Sequence, residues 1–237
     1  MDTVDEFKNA YAELESIIKK YEDKNNDDLI ENSSIITKMK ECEFITACRR
    51  MRNILVHQKS KYKGKTIDFF EPNEEVILKL KKIIENIEHP KMVTDFFIPI
   101  NCVSYKKMSD LIFPVMKEMS EKVYTHIPIL DGEKKLLGVF SENTIFSYLL
   151  DEEIIEISKE MKFEELKSYL DINNHISEIF KFTKRNTNIF ELKKIFEQEL
   201  NERNRIGMVF ITQNGTPNEP ILGIITPWDI AGLNDVE

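Results

Sequence analysis

The sequence predicts an α+β protein in which an N-terminal antiparallel helical bundle precedes a tandem pair of β-α-β-β-α repeats. Residues 3–90 place apolar side chains at helical spacing, without Gly or Pro inside the predicted helices. Residues 91–237 then show the order helix, strand, glycine turn, strand and capped helix twice. Since neither half can bury a sheet face alone, the repeats should share a core and leave a cleft between them. The predicted domains are 1–90 (helical), 91–150 (first repeat), 151–177 (a connecting segment packed on the pair) and 178–237 (second repeat).

Composition places the chain among globular proteins of the cytoplasm. Its 41% hydrophobic and 32% charged residues are ordinary for a folded protein, and the net charge of −9 argues against a general nucleic-acid coat. The N-terminal residues lack a secretory pattern, and no apolar run approaches the length of a membrane span. The three cysteines, Cys42, Cys48 and Cys102, lack zinc spacing. We therefore expect reduced thiols, no metal, no membrane and a cytoplasmic location.

The helical domain is predicted to contain four helices. The first presents an apolar stripe, and Ser33-Ser34 begins a second helix that carries Ile35, Ile36 and Met39. A third helix buries Phe44 to Leu55, a basic polar connection follows, and Pro72-Asn73 starts a fourth that Pro90 ends. Heptad-like stripes suit pairing with a second copy, so we expect a homodimer.

The repeats can be aligned on their last strand and helix. Gly138 matches Gly223, and Ser141 matches Thr226. In the second repeat a strand at 221–225 runs into a helix with Thr226 as N-cap and Asp229 at the third helical position. The hydroxyl, the carboxylate and the backbone N–H groups suit an anion or a ribose. The alternative is a capping box that needs no ligand.

The stretch Gly223-Ile-Ile-Thr226-Pro-Trp-Asp229 resembles the closing motif of the CBS domain, Gly-apolar-apolar-Thr/Ser-x-x-Asp. Residues 93–235 therefore look like a CBS-domain pair, or Bateman module. The resemblance implies that the cleft binds AMP, ADP, ATP or a related adenine nucleotide, with Thr226 and Asp229 at the ribose. The first repeat has Ser141 but carries Thr144 where the family has its acid. We therefore expect one regular site and one that is altered or empty.

Five more residues are candidate ligand contacts. By the same resemblance, Phe182 and Thr183 on the first strand of the second repeat present backbone groups to adenine. Lys184 and Arg185 follow them and could neutralise phosphate, or could belong to a solvated turn. His126 precedes the inner strand of the first repeat, and is either a ligand contact or a packed or surface imidazole.

The helical domain holds a different candidate site. Arg52-Asn53-x-x-x-His57 resembles the Arg-x4-His motif of HEPN domains, which implies a metal-independent RNase whose Arg and His act on the scissile phosphate. Lys59 stands where the related toxin nucleases often place Tyr. On one regular helix Arg52 and His57 lie about 140° apart, so they share a site only if the helix ends between them or a second subunit contributes. The alternatives are that Arg52 pairs with an acid while Asn53 and His57 bond nearby groups, or that the arginines hold an anion without cleaving it.

The whole chain also resembles an uncharacterised bacterial group in which a small helical domain precedes a CBS pair, and there Thr144 is a regular feature of the first repeat. Three functions follow. The first is a regulatory sensor that binds an adenine nucleotide and transmits the event to the helical domain, which docks RNA or protein or forms the dimer. The second is an RNase gated by the CBS pair. The third is a structural dimer with a vestigial site.

Overall fold

The structure, a computed structural model, describes residues 2–22, 30, 32–57, 60–62, 65–67, 71–151, 157–201 and 205–232. The chain divides into two compact units, Met1–Lys91 and Met92–Glu237. The first is mainly helical and the second mixes helices with strands, so the predicted α+β fold class is confirmed.

The described part of the first unit holds three α-helices, a 3-10 helix and a β-hairpin. These are α1 (Thr3–Glu22), the 3-10 helix (Ile36–Lys38), α2 (Cys42–His57), β1 (Ser60–Tyr62), β2 (Lys65–Ile67) and α3 (Glu74–Glu88). The predicted stripe of α1 is confirmed for Phe7, Tyr11, Leu14 and Ile18, which are buried, whereas Tyr21 at its end is exposed. The prediction for α3 is also confirmed, because its N-cap Asn73 accepts a hydrogen bond from the Glu75 N–H at 3.0 Å.

The predicted second helix is wrong, because the segment forms only a 3-10 turn. Ser33 does act as a cap, and its Oγ accepts from the Ile36 N–H at 3.1 Å. The Glu22 carboxylate, however, accepts from Ser34 Oγ at 2.8 Å and from the Ile35 N–H at 3.0 Å. These bonds hold the segment against the end of α1, and the chain is already extended at Met39. The basic polar connection predicted after α2 contains the hairpin β1–β2.

The second unit holds both repeats. Its elements are a 3-10 helix (Val93–Asp95), β3 (Ile98–Pro99), α4 (Ile112–Lys122), β4 (His126–Leu130), β5 (Leu136–Ser141), α5 (Glu142–Asp151), a 3-10 helix (Phe163–Leu166), α6 (Lys167–Leu170), β6 (Ile179–Lys184), α7 (Ile189–Asn201), β7 (Ile206–Thr212), β8 (Gly223–Ile225) and α8 (Pro227–Gly232). The strand before Thr226 and the strand at His126 lie where the sequence predicts them. The connecting segment forms a 3-10 helix and α6.

The two repeats share one sheet. This sheet has the order β3-β8-β7-β6, and β4 pairs with β5 in a separate hairpin. Strand β3 belongs to the first repeat in sequence, yet Ile98 pairs with Ile224 of the second. Strand β6 runs parallel to β7, whereas the corresponding partner of β4 is a single bridge between Lys106 and Ile129. The sheet of the second repeat is therefore completed by a strand from the first.

The hydrophobic core confirms that the repeats share an interior. One cluster joins first-repeat residues Leu130 and Val139 to second-repeat residues such as Phe180 and Phe210. A second cluster joins first-repeat residues to Phe163 and other residues of the connecting segment. A third packs Val93 of the first repeat against second-repeat residues such as Leu192 and Ile225.

The aligned glycines hold equivalent places in this shared interior. A Cβ at Gly138 would come within 2.8 Å of the Leu170 backbone carbon. A Cβ at Gly223 would overlap the Phe97 ring. Each glycine thus lets a segment from outside its own hairpin approach the strand closely.

Candidate functional site

The register of the strands brings polar residues of both repeats to one edge of the second unit. His126 at the start of β4 lies opposite Ser141 at the end of β5. Ile206 at the start of β7 lies opposite Ile179 at the start of β6. Strand β8 runs antiparallel to β7, so Thr226, which follows β8, lies near the start of β7.

A cavity of about 740 Å³ opens at this edge, between the two repeats. Its walls come from five segments: β3 with the turn after it, the residues before β4, α7 at Phe196, the start of β7 and the junction of β8 with α8. The lining residues are Ile98, Cys102, Val103, Ser104, Val123, Tyr124, Thr125, His126, Phe196, Arg205, Ile206, Gly207, Met208, Ile224, Thr226, Pro227 and Trp228. This volume lies within the range of small-molecule sites, about 300–1,000 Å³, and apolar side chains predominate on the walls, as is usual in such sites.

Thr226 lies on the cavity wall and Asp229 stands directly behind it. Asp229 Oδ2 accepts hydrogen bonds from the Thr226 N–H and from Thr226 Oγ1, both at 2.7 Å. Half of the capping box predicted as the alternative therefore exists, because the Asp229 carboxylate binds the Thr226 N–H while the Thr226 hydroxyl donates to the same carboxylate. The Thr226 hydroxyl oxygen keeps its lone pairs, and no described group donates to Asp229 Oδ1.

Two exposed apolar side chains from different repeats also line the cavity. Trp228 at the start of α8 and Val123 after α4 are each 85% exposed. Val123 is the C-cap of α4 and has a φ of 58°, in the left-handed region that a β-branched residue rarely adopts. The exposure of both groups at a concave surface, and the backbone strain at Val123, mark this mouth as a place where an apolar partner group can bind.

Behind the cavity, a buried carboxylate joins the two repeats. Glu178, just before β6, lies 2.6 Å through Oε2 from His126 Nε2, and its Oε1 lies 3.3 Å from His175 Nδ1 without hydrogen-bond geometry. The Phe180 ring packs edge-on against both imidazoles. Burial alone would raise the pKa of Glu178, but its contacts with His126 and His175 outweigh burial and lower that pKa. The group is therefore a carboxylate at neutral pH.

His126 contributes a ring face to the cavity and no free ring nitrogen. Its Nε2 faces the Glu178 carboxylate, and its Nδ1 lies 2.8 Å from Thr125 Oγ1. Because a carboxylate only accepts, Nε2 must carry a proton. The structure therefore places His126 at the predicted site, but as a packed imidazole.

Ser141 and Thr144, the first-repeat counterparts of Thr226 and Asp229, do not reach the cavity. Each is only 2% exposed, and Thr144 Oγ1 accepts from the Ser141 N–H at 3.0 Å. This corrects the expectation of ligand contact at these two residues. Both hydroxyls lie at the start of α5 in packed protein, and Ser141 lies close enough to the Glu178 carboxylate to help lower its pKa.

Phe182, Thr183 and Lys184 line a different hollow from Thr226. That hollow, of about 350 Å³, lies at the carboxyl end of β6, where Lys184 pairs with Thr212. The cavity lies at the other end of β7, so about six residue steps of roughly 3.3 Å, or about 20 Å, separate the two places. Arg185 follows in an exposed turn and lines neither of them. The expected common site of these four residues with Thr226 is thereby corrected, because β6 runs parallel to β7.

In the first unit Arg52 is already engaged. Its guanidinium donates to Asn53 Oδ1 at 3.1 Å, lies 3.8 Å from Glu15 Oε2 and stacks near the Tyr11 ring. Helix α2 continues through His57, so Arg52 and His57 lie on one unbroken helix, about 140° apart. The His57 side chain lies outside the described residues. Within one chain, the condition that the helix ends between Arg52 and His57 is not met.

Sequence reasoning missed Glu178 and His175. The available signal was a Glu and a His just before β6, at the strand edge that also carries His126. Among the described residues, no group of three His, Cys, Asp or Glu side chains has the arrangement of a metal site. No described helix combines the length and the apolar character needed to cross a membrane.

A family model of the CBS domain matches residues 107–151, in the first repeat. No curated protein matches the chain in sequence. Among solved structures, the chain is similar to CbpB in complex with c-di-AMP, with 14% identity, a TM-score of 0.48 and coverage of 65% of this chain and 93% of that one. CBSX2 in complex with AMP gives 17% identity, a TM-score of 0.43 and coverage of 60% and 94%. A functionally unknown conserved protein domain from Neisseria meningitidis gives 17% identity, a TM-score of 0.45 and coverage of 80% of this chain and 99% of that one.

Proposed function

We propose that residues 92–237 form a CBS-domain pair that binds an adenine nucleotide, AMP, ADP, ATP or a close relative, and that the chain acts as a regulatory sensor. The observation that carries this proposal is the cavity of about 740 Å³ at whose wall Thr226 lies. The match of the CBS family model to the first repeat supports it, as does the equivalence of Gly138 and Gly223 in packing.

The walls suit the parts of a nucleoside. The Thr226 hydroxyl can accept a hydrogen bond from a ribose hydroxyl while it donates to Asp229, and Asp229 Oδ1 can accept another. The exposed Trp228 and Val123 offer apolar surface to a base, and an aromatic ring covers a base at a gain of about 1–3 kcal/mol. The His126 side chain also lines the cavity, and its Nε2 faces the Glu178 carboxylate.

Calorimetry and thermal unfolding of the full chain with AMP, ADP, ATP and a cyclic dinucleotide test this proposal. A ligand at a hundred times its Kd should stabilise the wild type by about 2.7 kcal/mol. The informative variant is Asp229→Ala, and the matched control is Glu191→Ala. Glu191 holds the same third position in α7, where its Oε2 accepts from the Asn188 N–H at 3.4 Å. Each substitution removes capping bonds, at a cost of about 0.5–2 kcal/mol.

The expected result is that Asp229→Ala loses binding while Glu191→Ala keeps it. If the wild type is stabilised by none of these ligands, or if the two variants bind equally well, the proposal is wrong. Comparing the two variants separates loss of a ligand contact from loss of a helix cap.

We further propose that binding is transmitted to the helical unit, as a change in self-association or in the docking of a protein or RNA partner. The division into two compact units supports a separate output module. A ligand can shift such an equilibrium only through unequal affinity for two arrangements. Sedimentation velocity of the full chain with and without AMP should therefore show a change in subunit number or in shape. Identical profiles at saturating AMP would contradict the transmission step while leaving ligand binding intact.

A further inference from the structure

We propose that the ligand of this cavity is an adenosine derivative with no more than one phosphate, and that Arg205 is the residue that binds that phosphate. This inference rests on the proposed function and narrows it. It excludes nucleoside diphosphates and triphosphates as the preferred ligands.

The described wall of the cavity carries one full positive charge. Of the lining residues that the structure describes, Arg205 alone carries a full positive charge, and the others are apolar or neutral polar groups besides His126. Arg205 makes no ion pair with a described residue, so its guanidinium is available to a phosphate. A triphosphate carries about four negative charges near neutral pH, and a single arginine leaves most of them without a partner.

A negative charge, the Glu178 carboxylate, lies behind the cavity wall. His126 has both ring nitrogens engaged, so it donates no hydrogen bond to a phosphate oxygen. The Glu178 carboxylate lies directly behind it and is 4% exposed, so solvent screens it poorly. A phosphate group and this carboxylate repel each other, and the repulsion falls with the distance between them. Each added phosphate therefore meets an unfavourable field on this side.

The other candidate cations do not line the cavity. Lys184 and Arg185, which the sequence offered as phosphate ligands, lie at the far end of β7, roughly 20 Å from Thr226 on strand geometry. Lys106 is held by Glu118 Oε2 at 2.7 Å. A phosphate chain that starts from a ribose at Thr226 cannot gather these groups.

The test measures Kd for adenosine, AMP, ADP and ATP with the full-length wild type, Arg205→Gln and Arg185→Gln. For the wild type we expect AMP to bind at least as tightly as ADP, and ATP to bind roughly tenfold more weakly than AMP. Arg205→Gln should weaken AMP by roughly tenfold or more, which corresponds to loss of one charged hydrogen bond, and should leave adenosine unchanged. Arg185→Gln, the matched control from the polar turn, should change neither.

The outcomes separate this inference from the proposed function. If affinity rises from AMP to ADP to ATP, or if Arg205→Gln leaves AMP binding unchanged, the inference is overturned while nucleotide binding stands. If none of the four compounds binds the wild type, the inference and the proposed function both fall. If Arg185→Gln weakens AMP as much as Arg205→Gln does, the phosphate lies elsewhere and the assignment of Arg205 is wrong.

Discussion

Replacing Glu178 by glutamine tests how the two repeats are joined. Glu178 belongs to the second repeat, and the His126 Nε2 that lies 2.6 Å from its carboxylate belongs to the first. Glutamine has nearly the same shape, so the substitution removes the negative charge and leaves the packing around Phe180 in place. The readout is the free energy of unfolding of the second unit.

The expected loss is about 2 kcal/mol at pH 7. A hydrogen bond to a charged group contributes about 1.5–3 kcal/mol, and the group here is 4% exposed, so solvent does not replace it. Burial of the carboxylate itself is unfavourable, and relief of that cost offsets part of the loss. Glu178→Ala should cost more, about 3–5 kcal/mol, because it leaves two buried imidazoles without their partner.

The pH dependence of the free energy of unfolding gives a second test of the contribution of Glu178. The pKa of Glu178 is lowered from its ordinary value of 4.5, so the folded state favours the ionised carboxylate. Its contribution is therefore complete above about pH 4.5 and is lost as the pH falls below that value toward the folded pKa. Urea unfolding between pH 3 and pH 8 should show a constant difference between wild type and Glu178→Gln at neutral pH that shrinks at the acid end.

Glu118→Gln is the control for a carboxylate of similar charge but greater exposure. Hydrogen bonds from Lys106, Lys122 and Ser104 lower the pKa of Glu118 to about 2, yet its side chain is 20% exposed. We expect a cost below about 1 kcal/mol, as for other exposed ion pairs. If Glu178→Gln costs no more than Glu118→Gln, or if its difference from wild type does not change below pH 4.5, the clamp between the repeats does not contribute as argued.

Two further predictions concern single positions. Val123→Gly should raise the stability of the protein by about 1 kcal/mol, because it relieves a left-handed backbone that costs a β-branched residue about 1–2 kcal/mol, and it should weaken nucleotide binding. Lys134→Gly, at the other described non-glycine with positive φ, should stabilise the protein by a similar amount without an effect on nucleotide binding. If both variants bind the nucleotide equally well, Val123 does not contact the ligand. Gly138→Ala should destabilise by about 1–3 kcal/mol, since its Cβ would press on the Leu170 backbone, whereas Gly132→Ala, with nothing within 4 Å, should be nearly neutral in urea denaturation. A neutral Gly138→Ala would mean that α6 can move aside easily.

Local sequence rules predicted the elements whose partners are close in the chain. The Asn73 side chain caps α3, and the Asp229 carboxylate binds the Thr226 N–H at the start of α8, because each of these side chains bonds to a backbone group two or three positions away. The predicted helix at Ser33 failed for the opposite reason. Its first turn forms, but it closes with the Met39 N–H on the Ile36 carbonyl and the chain is extended from Met39, while the Glu22 carboxylate, which arrives from α1, binds the Ile35 N–H. No window of residues around Ser33 contains that information.

The candidate site depends still more on distant partners. The order of the elements is readable from the glycines and the apolar periodicity, but the direction of β6 against β7 decides which end of β6 faces Thr226. That direction places Glu178 near the cavity and Lys184 far from it. Likewise, nothing local to Glu178 indicates that His126, from the other repeat, supplies its hydrogen bond. The sequence therefore predicted Thr226 as a site residue, and it lines the cavity, whereas Lys184 and Arg185, the cations that the sequence offered to phosphate, do not.

The surroundings of Ser141 and Thr226 differ between the two repeats, and this difference predicts how many ligands one chain binds. Ser141 at the end of β5 and Thr226 after β8 hold equivalent positions, and a symmetric pair would open a cavity beside each. In the described structure the Glu178 carboxylate lies near Ser141, which helps to lower its pKa, while Thr226 lines an open cavity. The Glu178 carboxylate, which contacts His126 and His175, thus takes the position beside Ser141 that a ligand's polar groups would take beside Thr226. We therefore expect the calorimetry proposed above to give one ligand per chain; two equal sites would mean that Glu178 leaves its place on binding.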